Sequence, residues 1–261
     1  MRPIFDDTGP VQGIGDSTPL TALAEAIAAG DHDLVSTDLF DTVLLRDHTI
    51  ESDRFAVACR RAARRLQVDP AVLTRLRWSF HNVAYRAVAM ERPEGEASLT
   101  SVCEVIAAAL GRDTEAARIL RETEVEVDIG HLRPHRPLLD LFDRATRSGL
   151  RVVAVSDTYY DGPDLRRIVD AVVGDHPFAE VYSSADVGLT KHAGRIFDEV
   201  ARREGVPAER ILHVGDSHDV DVRMARAASW TALHLPRDRR YRATKLAGQA
   251  LALPVTMRRA R

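Results

Sequence analysis

Lysine is nearly missing from this chain. Of 36 basic side chains in 261 residues, only Lys191 and Lys245 are lysines, and the rest are arginines. Together with abundant alanine and valine, this matches the codon usage of a GC-rich genome, and it makes any lysine inside a motif conspicuous. Cysteine is equally sparse. Cys59 and Cys103 cannot build a disulfide framework and have no metal-ligand spacing, so a reducing, cytoplasmic setting is expected. No apolar run approaches 18 residues without a charge, which excludes a membrane-spanning helix. The stretch Met1 to Leu20 carries Arg2, Asp6, Asp7 and Asp16 without an apolar centre and does not read as a secretory signal. There is little net charge: 36 basic against 39 acidic residues gives −3, so nothing pulls the whole chain toward nucleic acid. A hydrophobic share of 45% excludes a disordered chain. No internal repeat or low-complexity tract is visible.

Two textures divide what is there. A first helix is expected over Pro19 to Ala29, capped by Ser17 or Thr18, and a buried strand over 34–37 runs into Asp38-Leu39-Phe40-Asp41-Thr42. Residues 46–133 then read as helical throughout. One helix opens at Ser52 or Asp53 and runs through Leu66. A second runs from Asp69-Pro70 to about Glu91. A third has Ser101 and Glu104 as a capping box, and a fourth runs from Asp113 to about Asp128. Beyond residue 133 helices and strands alternate. Helices are expected over 137–149, 163–173, 192–204 and 220–228, and strands over 151–155, 180–183, 211–214 and 231–235. Buried strands alternating with helices mean an α/β fold with a parallel sheet. The domain division expected is a core of 1–45 and 134–261 with an all-helical insert of 46–133.

In an open parallel sheet, ligands bind beyond the carboxyl ends of the strands. The polar residues falling there are Asp38, Ser156, Lys191 (expected at a helix start) and Asp216. Two carboxylates suit a hard divalent cation that keeps waters and a substrate phosphate. One carboxylate can also attack phosphorus, and a hydroxyl and an ammonium can hold phosphoryl oxygens.

Four ordered segments carry a family resemblance: residues 34–43 around Asp38, Val152-Val153-Ala154-Val155-Ser156, Gly188-Leu189-Thr190-Lys191, and residues 211–221 around Gly215-Asp216. In these the chain resembles the haloacid dehalogenase-like hydrolase superfamily, over roughly 33–46 and 133–236. The resemblance implies a Rossmann-like core and Mg²⁺-dependent hydrolysis of a small phosphorylated substrate through an aspartyl-phosphate on Asp38. It implies Mg²⁺ ligands at Asp38, the Phe40 carbonyl, Asp216 and Asp221, with Asp219 the competitor of Asp221. It gives Ser156 and Lys191 the phosphoryl group, makes Thr42, Asp157 and Tyr159 substrate contacts, and makes the insert a cap that closes over the site. No nucleic acid or membrane partner is expected, and the oligomeric state is not readable.

The chain departs from the pattern at one point. Relatives with phosphatase activity place a second aspartate, the general acid/base, two residues after the nucleophile. Here that position is Phe40, and the aspartate stands at Asp41. Loss of a positioned acid/base typically costs about 10² to 10⁴ in rate. Three readings follow. In the first, a phosphatase draws its proton from Asp41, His48 or His218, or acts on a good leaving group such as an acyl phosphate or diphosphate. In the second, the chain cleaves carbon–halogen or carbon–phosphorus bonds. The intact Gly215-Asp216 argues against the former, and the absence of lysine from 46–133 against the latter. In the third, it is a non-catalytic binding module.

The insert is electrically lopsided. From Arg54 to Arg92, nine arginines face Asp69 and Glu91; from Glu94 to Asp128, nine acids face three arginines. Two attracting helical faces explain this, and so does an arginine such as Arg60, Arg64, Arg75 or Arg77 binding an anionic substrate. Trp78, Phe80, Tyr85 and Trp230 are expected to pack, whereas Tyr159 and Tyr160 follow Ser156 in a loop facing the crevice. His131 and His135 flank Pro134 and do not form a zinc helix. The basic tail from Pro236 is expected to be solvated, with a docking surface for an acidic partner as the alternative.

Overall fold

The computed structural model describes residues 18–237 together with Tyr241, Ala243 and Leu246. Its centre is a five-stranded parallel sheet in the order β5-β4-β1-β6-β7, built from β1 (Leu34–Thr37), β4 (Arg151–Ser156), β5 (Glu180–Ser183), β6 (Ile211–Gly215) and β7 (Thr231–His234). β1 is buried at every position and pairs with β4 on one side and β6 on the other. The chain therefore travels outward from β1 to β5, then returns to build the other half. β1 is the switch point, and the crevice beyond its carboxyl end is where a ligand fits. Helices α1 (Pro19–Ala28), α6 (Arg136–Arg147), α7 (Gly162–Val173), the single turn α8 (Ser184–Val187) and α9 (Arg195–Glu204) accompany the strands. The fold is the α/β class expected from the alternation.

Between β1 and β4 lie α2 (Glu51–Leu66), α3 (Pro70–Glu91), α4 (Leu99–Ala109) and α5 (Thr114–Ile129). Local chemistry sets most of their ends. Asp69 accepts the Ala71 N–H at 2.7 Å ahead of Pro70, and Asp113 accepts the Ala116 N–H at 3.1 Å. Arg77 on α3 reaches Glu124 on α5 with two bonds of 2.7 Å, both side chains buried. This pair realises part of the attraction expected between the basic and acidic halves.

Five details differ from the sequence reading. α2 starts behind Ile50, which offers no side-chain cap, rather than at Ser52 or Asp53. Ser98, not Ser101, caps α4, and its hydroxyl accepts the Ser101 N–H at 3.3 Å. A short antiparallel ribbon, β2 (Leu44–Arg46) with β3 (Leu132–Pro134), joins the two chain entries to the helical unit where no strand is expected. Lys191 sits in a turn ahead of α9, because Gly194 at φ +83° delays the helix to Arg195. The helix expected over 220–228 is a wide π-type turn, His218–Arg223, followed by one α-turn, Met224–Ala227. Among the described residues no helix is long and apolar enough to cross a membrane.

Candidate active site

Asp38 extends β1 by one residue, since its N–H donates to Val214 O at 2.9 Å. Its carboxylate is buried and engaged on both oxygens. The Thr42 hydroxyl donates to Oδ2 at 2.8 Å, and Lys191 Nζ donates to Oδ1 at 2.6 Å. The same ammonium donates to Asp221 Oδ1 at 2.6 Å. One buried cation thus bridges two buried carboxylates, the three groups coming from three separate segments. Burial opposes its charge, but Asp221 and Asp38 outweigh burial and hold the Lys191 ammonium well above its usual range. Burial likewise pushes Asp38 up, as do Asp221 and Asp216, against the pull of Lys191. Asp221 goes the other way: burial would raise it, but Lys191 and the neighbouring His213 hold it down.

Asp216 completes the group. One carboxylate oxygen from each of Asp38, Asp216 and Asp221 lies within 4.8 Å of the others. Thr42 ties the group together, accepting the Asp216 N–H at 3.2 Å while donating to Asp38. Of the two acids weighed for the last position, Asp221 turns inward and Asp219 points to solvent beside Arg223. The wide turn after β6 achieves this by returning the Asp221 carboxylate to the Ser217 N–H at 3.0 Å. Burial raises Asp216, and a guanidinium opposes it: Arg237, just beyond β7, pairs with Asp216 and lies 3.3 Å from Asp41. A trio of carboxylates holding resident cations is a donor set that fits Mg²⁺.

The remaining expected residues fall into two groups. Ser156, at the end of β4, is buried, and its hydroxyl has no hydrogen-bond partner among the described residues. A buried hydroxyl without a partner is costly unless a ligand satisfies it. Asp157 spends its carboxylate on the turn that carries Lys191, accepting the Lys191 and His192 N–H groups at 2.7 and 3.0 Å. Tyr159 packs its ring among Phe55, His81 and Tyr160, between sheet and insert. Tyr160 is buried and donates to Asp128 at 3.0 Å. His48 and His218 are exposed. Phe40 is half-buried with the Arg46 guanidinium 4.4 Å above its ring. Asp41 adopts the left-handed conformation at φ 65°, and its carboxylate accepts the Tyr241 hydroxyl.

Several residues near the site carry no sequence signal. Arg46 and Arg54 both pair with the buried Asp128, whereas Arg60, Arg64 and Arg75 are exposed and Arg77 is committed to Glu124. Arg237 and Tyr241 belong to the tail expected to be solvated; most of that tail lies outside the described residues, as do Met1 to Ser17. The segment joining α3 to α4 is tied to the loop after β4 and to the turn before α9. Thr190 N–H donates to Glu94 O at 2.9 Å, Leu99 N–H donates to Tyr159 O at 2.7 Å, and Asp161 accepts Ser98 Oγ at 2.7 Å.

A carboxylate at the end of the central strand of a parallel α/β sheet thus faces a buried lysine and two further carboxylates. The chain belongs to the haloacid dehalogenase-like hydrolase family, whose pattern it matches over residues 32–229. It is similar to a glyceraldehyde 3-phosphate phosphatase of Methanopyrus kandleri, 40% identical over 62 residues, which cover 24% of this chain and 27% of that protein. The chain therefore spans about a quarter of the length of this curated relative. The fold is similar to a 2-haloacid dehalogenase of Pseudomonas syringae pv. tomato, at a TM-score of 0.55 and 20% identity, covering 77% of this chain and 85% of that one. It is also similar to a defluorinating L-2-haloacid dehalogenase, at a TM-score of 0.50 and 14% identity, covering 77% and 80%. At these identities the likeness to the solved structures is one of fold.

Proposed function

We propose that this hydrolase is a Mg²⁺-dependent phosphatase that cleaves a small phosphorylated substrate through an aspartyl-phosphate on Asp38. The observation that carries the reading is the trio Asp38, Asp216 and Asp221, with the Lys191 ammonium between two of them. Asp38, Asp216 and the Phe40 carbonyl would hold the cation, with Asp221 supporting. When bound, Mg²⁺ supplies positive charge that screens the phosphoryl oxygens from the nucleophile. Asp38 attacks phosphorus, and Lys191 favours the ionised form of its carboxylate and aims it. The Ser156 hydroxyl and the Lys191 ammonium take phosphoryl oxygens as charge redistributes. Proton transfer falls to Asp41, the other carboxyl of the loop. Residues 46–133 act as the cap, fastened by Asp161 and Thr190, and exclude water from the crevice. Thr42 and Asp157 serve by holding Asp38 and the Lys191 turn in place. The two cysteines are buried free thiols, in keeping with a reducing cytoplasmic setting.

Phosphate release from a panel of esters and anhydrides, with Mg²⁺ and with EDTA, tests the reading in wild type and Asp38→Asn. Turnover that needs Mg²⁺ and vanishes in Asp38→Asn is the expected result. Mg²⁺ binding without turnover of any substrate would favour the binding-module reading that Phe40 keeps open.

A further inference from the structure

A cavity of about 300 Å³ opens beside the nucleophile loop, walled by Asp41, Thr49, Glu51 and three arginines, Arg46, Arg54 and Arg237. Arg237 connects it to the reaction centre, because the same guanidinium touches Asp216 and lies 3.3 Å from Asp41. The arginines are firmly held. Arg46 and Arg54 share the buried Asp128, Arg54 also donates to Thr49 O at 2.7 Å, and Arg46 lies over the Phe40 ring. Two of the guanidinium groups thus share a single carboxylate, Asp128. Of the two acids on the wall, Asp41 is engaged by Arg237 and Tyr241, and Glu51 is exposed at the start of α2.

Phe40, which lies under the Arg46 guanidinium of this wall, follows Asp38 by two residues and can donate no proton. A leaving oxygen that departs there must depart as an anion, and guanidinium groups facing it stabilise that anion. We propose that the cavity receives the leaving group and that this group is an acidic oxyanion: the carboxylate of an acyl phosphate or the phosphate of a diphosphate. The inference rests on the phosphatase reading above and narrows its substrate class. An Asp38 oxygen bonds to phosphorus while the bridging P–O bond breaks, and its electron pair leaves on the carboxylate or phosphate oxygen with no proton added. Water then attacks the aspartyl-phosphate, its proton passes to Asp41, phosphate leaves and the Asp38 carboxylate is restored. Asp41 is thereby confined to the second step.

The test compares acetyl phosphate, pyrophosphate, 4-nitrophenyl phosphate and glycerol phosphate as substrates of the full chain with Mg²⁺. Wild type is expected to prefer acetyl phosphate or pyrophosphate over glycerol phosphate by at least about 10² in kcat/KM, the span a missing acid commands. Which of the two is preferred separates a carboxylate from a phosphate leaving group. Phe40→Asp should narrow the gap by raising the ester rate. Arg54→Gln should lower kcat/KM for acetyl phosphate or pyrophosphate about tenfold and lower it less for 4-nitrophenyl phosphate, whose phenolate charge is spread over the ring and gains less from a guanidinium. Calorimetric binding of pyrophosphate to Asp38→Asn, lost when Arg54→Gln is added, gives a readout independent of turnover. Glycerol phosphate turned over as well as acetyl phosphate and pyrophosphate, or Arg54→Gln affecting all substrates alike, would overturn the inference while leaving a phosphatase. No turnover of any substrate would remove both.

Discussion

Asp221 packs against the bare Cα of Gly215: a Cβ placed there would lie 2.3 Å from Asp221 Cγ. Glycine at the end of β6 is thus required by a close approach, not by its backbone angles. Gly215→Ala should push the Asp221 carboxylate off Lys191. Misplacing a catalytic constellation by about 1 Å can cost about 10²-fold in rate, and the overpacking should cost about 1–3 kcal/mol of stability. Phosphate release and urea unfolding measure the two effects separately. An unchanged rate would show that Asp221 does not set the position of Lys191.

Removing the lysine should expose the electrostatic load it carries. Lys191→Met leaves Asp38 and Asp221 facing each other without their shared cation, a loss on the scale of about 3–5 kcal/mol for a broken buried pair. Mg²⁺ should then stabilise the variant more than it stabilises wild type, because it supplies charge that the lysine no longer does. Thermal unfolding of both proteins with Mg²⁺ and with EDTA tests this, and an equal shift in the two would contradict it.

His213 predicts a pH dependence. It is fully buried on β6, and burial holds its imidazole below the ordinary value near 6.5 despite Asp221 at 3.4 Å. The unfolded chain therefore takes up a proton before the folded one does. Stability is complete above about pH 6.5 and falls as pH drops toward the lower folded value, by at most about 1.4 kcal/mol per pH unit. Urea unfolding at pH 7.5 and 5.5 should show a decline that is smaller in His213→Gln. A decline of the same size in the variant would assign the effect to other groups.

Within the helical unit, Arg77 and Glu124 form a buried two-bond pair, and the guanidinium also lies 3.9 Å above the Phe55 ring. Arg77→Met alone should cost about 3–5 kcal/mol by stranding Glu124, whereas adding Glu124→Leu should recover most of it. A double-mutant cycle in urea measures the difference. Additive losses would show that the two residues act independently.

The sheet was readable because its signals are local. β-Branched runs ending in Asp38, Ser156 and Gly215-Asp216 mark strands and their carboxyl ends together. Lys191 stood out through the scarcity of its residue type. Helix starts at Thr18, Asp69 and Asp113 followed from a capping side chain that bonds within its own first turn. Where the start is set from afar the reading slipped. Ile50 has no side-chain cap to announce α2, and the Leu99 N–H that follows Ser98 is held by Tyr159, 60 residues further along the chain. The ribbon of three-residue strands is too short to leave a periodic trace.

The cavity arginines were hidden for a similar reason. Arg46 and Arg54 look no different in sequence from Arg60 or Arg75, and only their convergence on Asp128 separates them. Asp221 could be preferred over Asp219 from the motif, but its burial depends on the wide turn after β6, which resembles an ordinary helix in its residue pattern. Arg237 and Tyr241 reach the site through tertiary contacts that a run of basic residues does not disclose.

The β2–β3 ribbon also bears on how the chain finds its fold. β1 must pair with β4 across the whole helical unit, residues 38–150. Once Leu44–Arg46 is laid against Leu132–Pro134, only 38–43 and 135–150 remain to be closed. That shortens the loop roughly fivefold and lowers the entropic cost of bringing the two central strands together by about 1.4 kcal/mol. The ribbon is thus a kinetic staple: the insert can fold as a local unit, draw its own ends together, and hand the sheet two strands that are already neighbours.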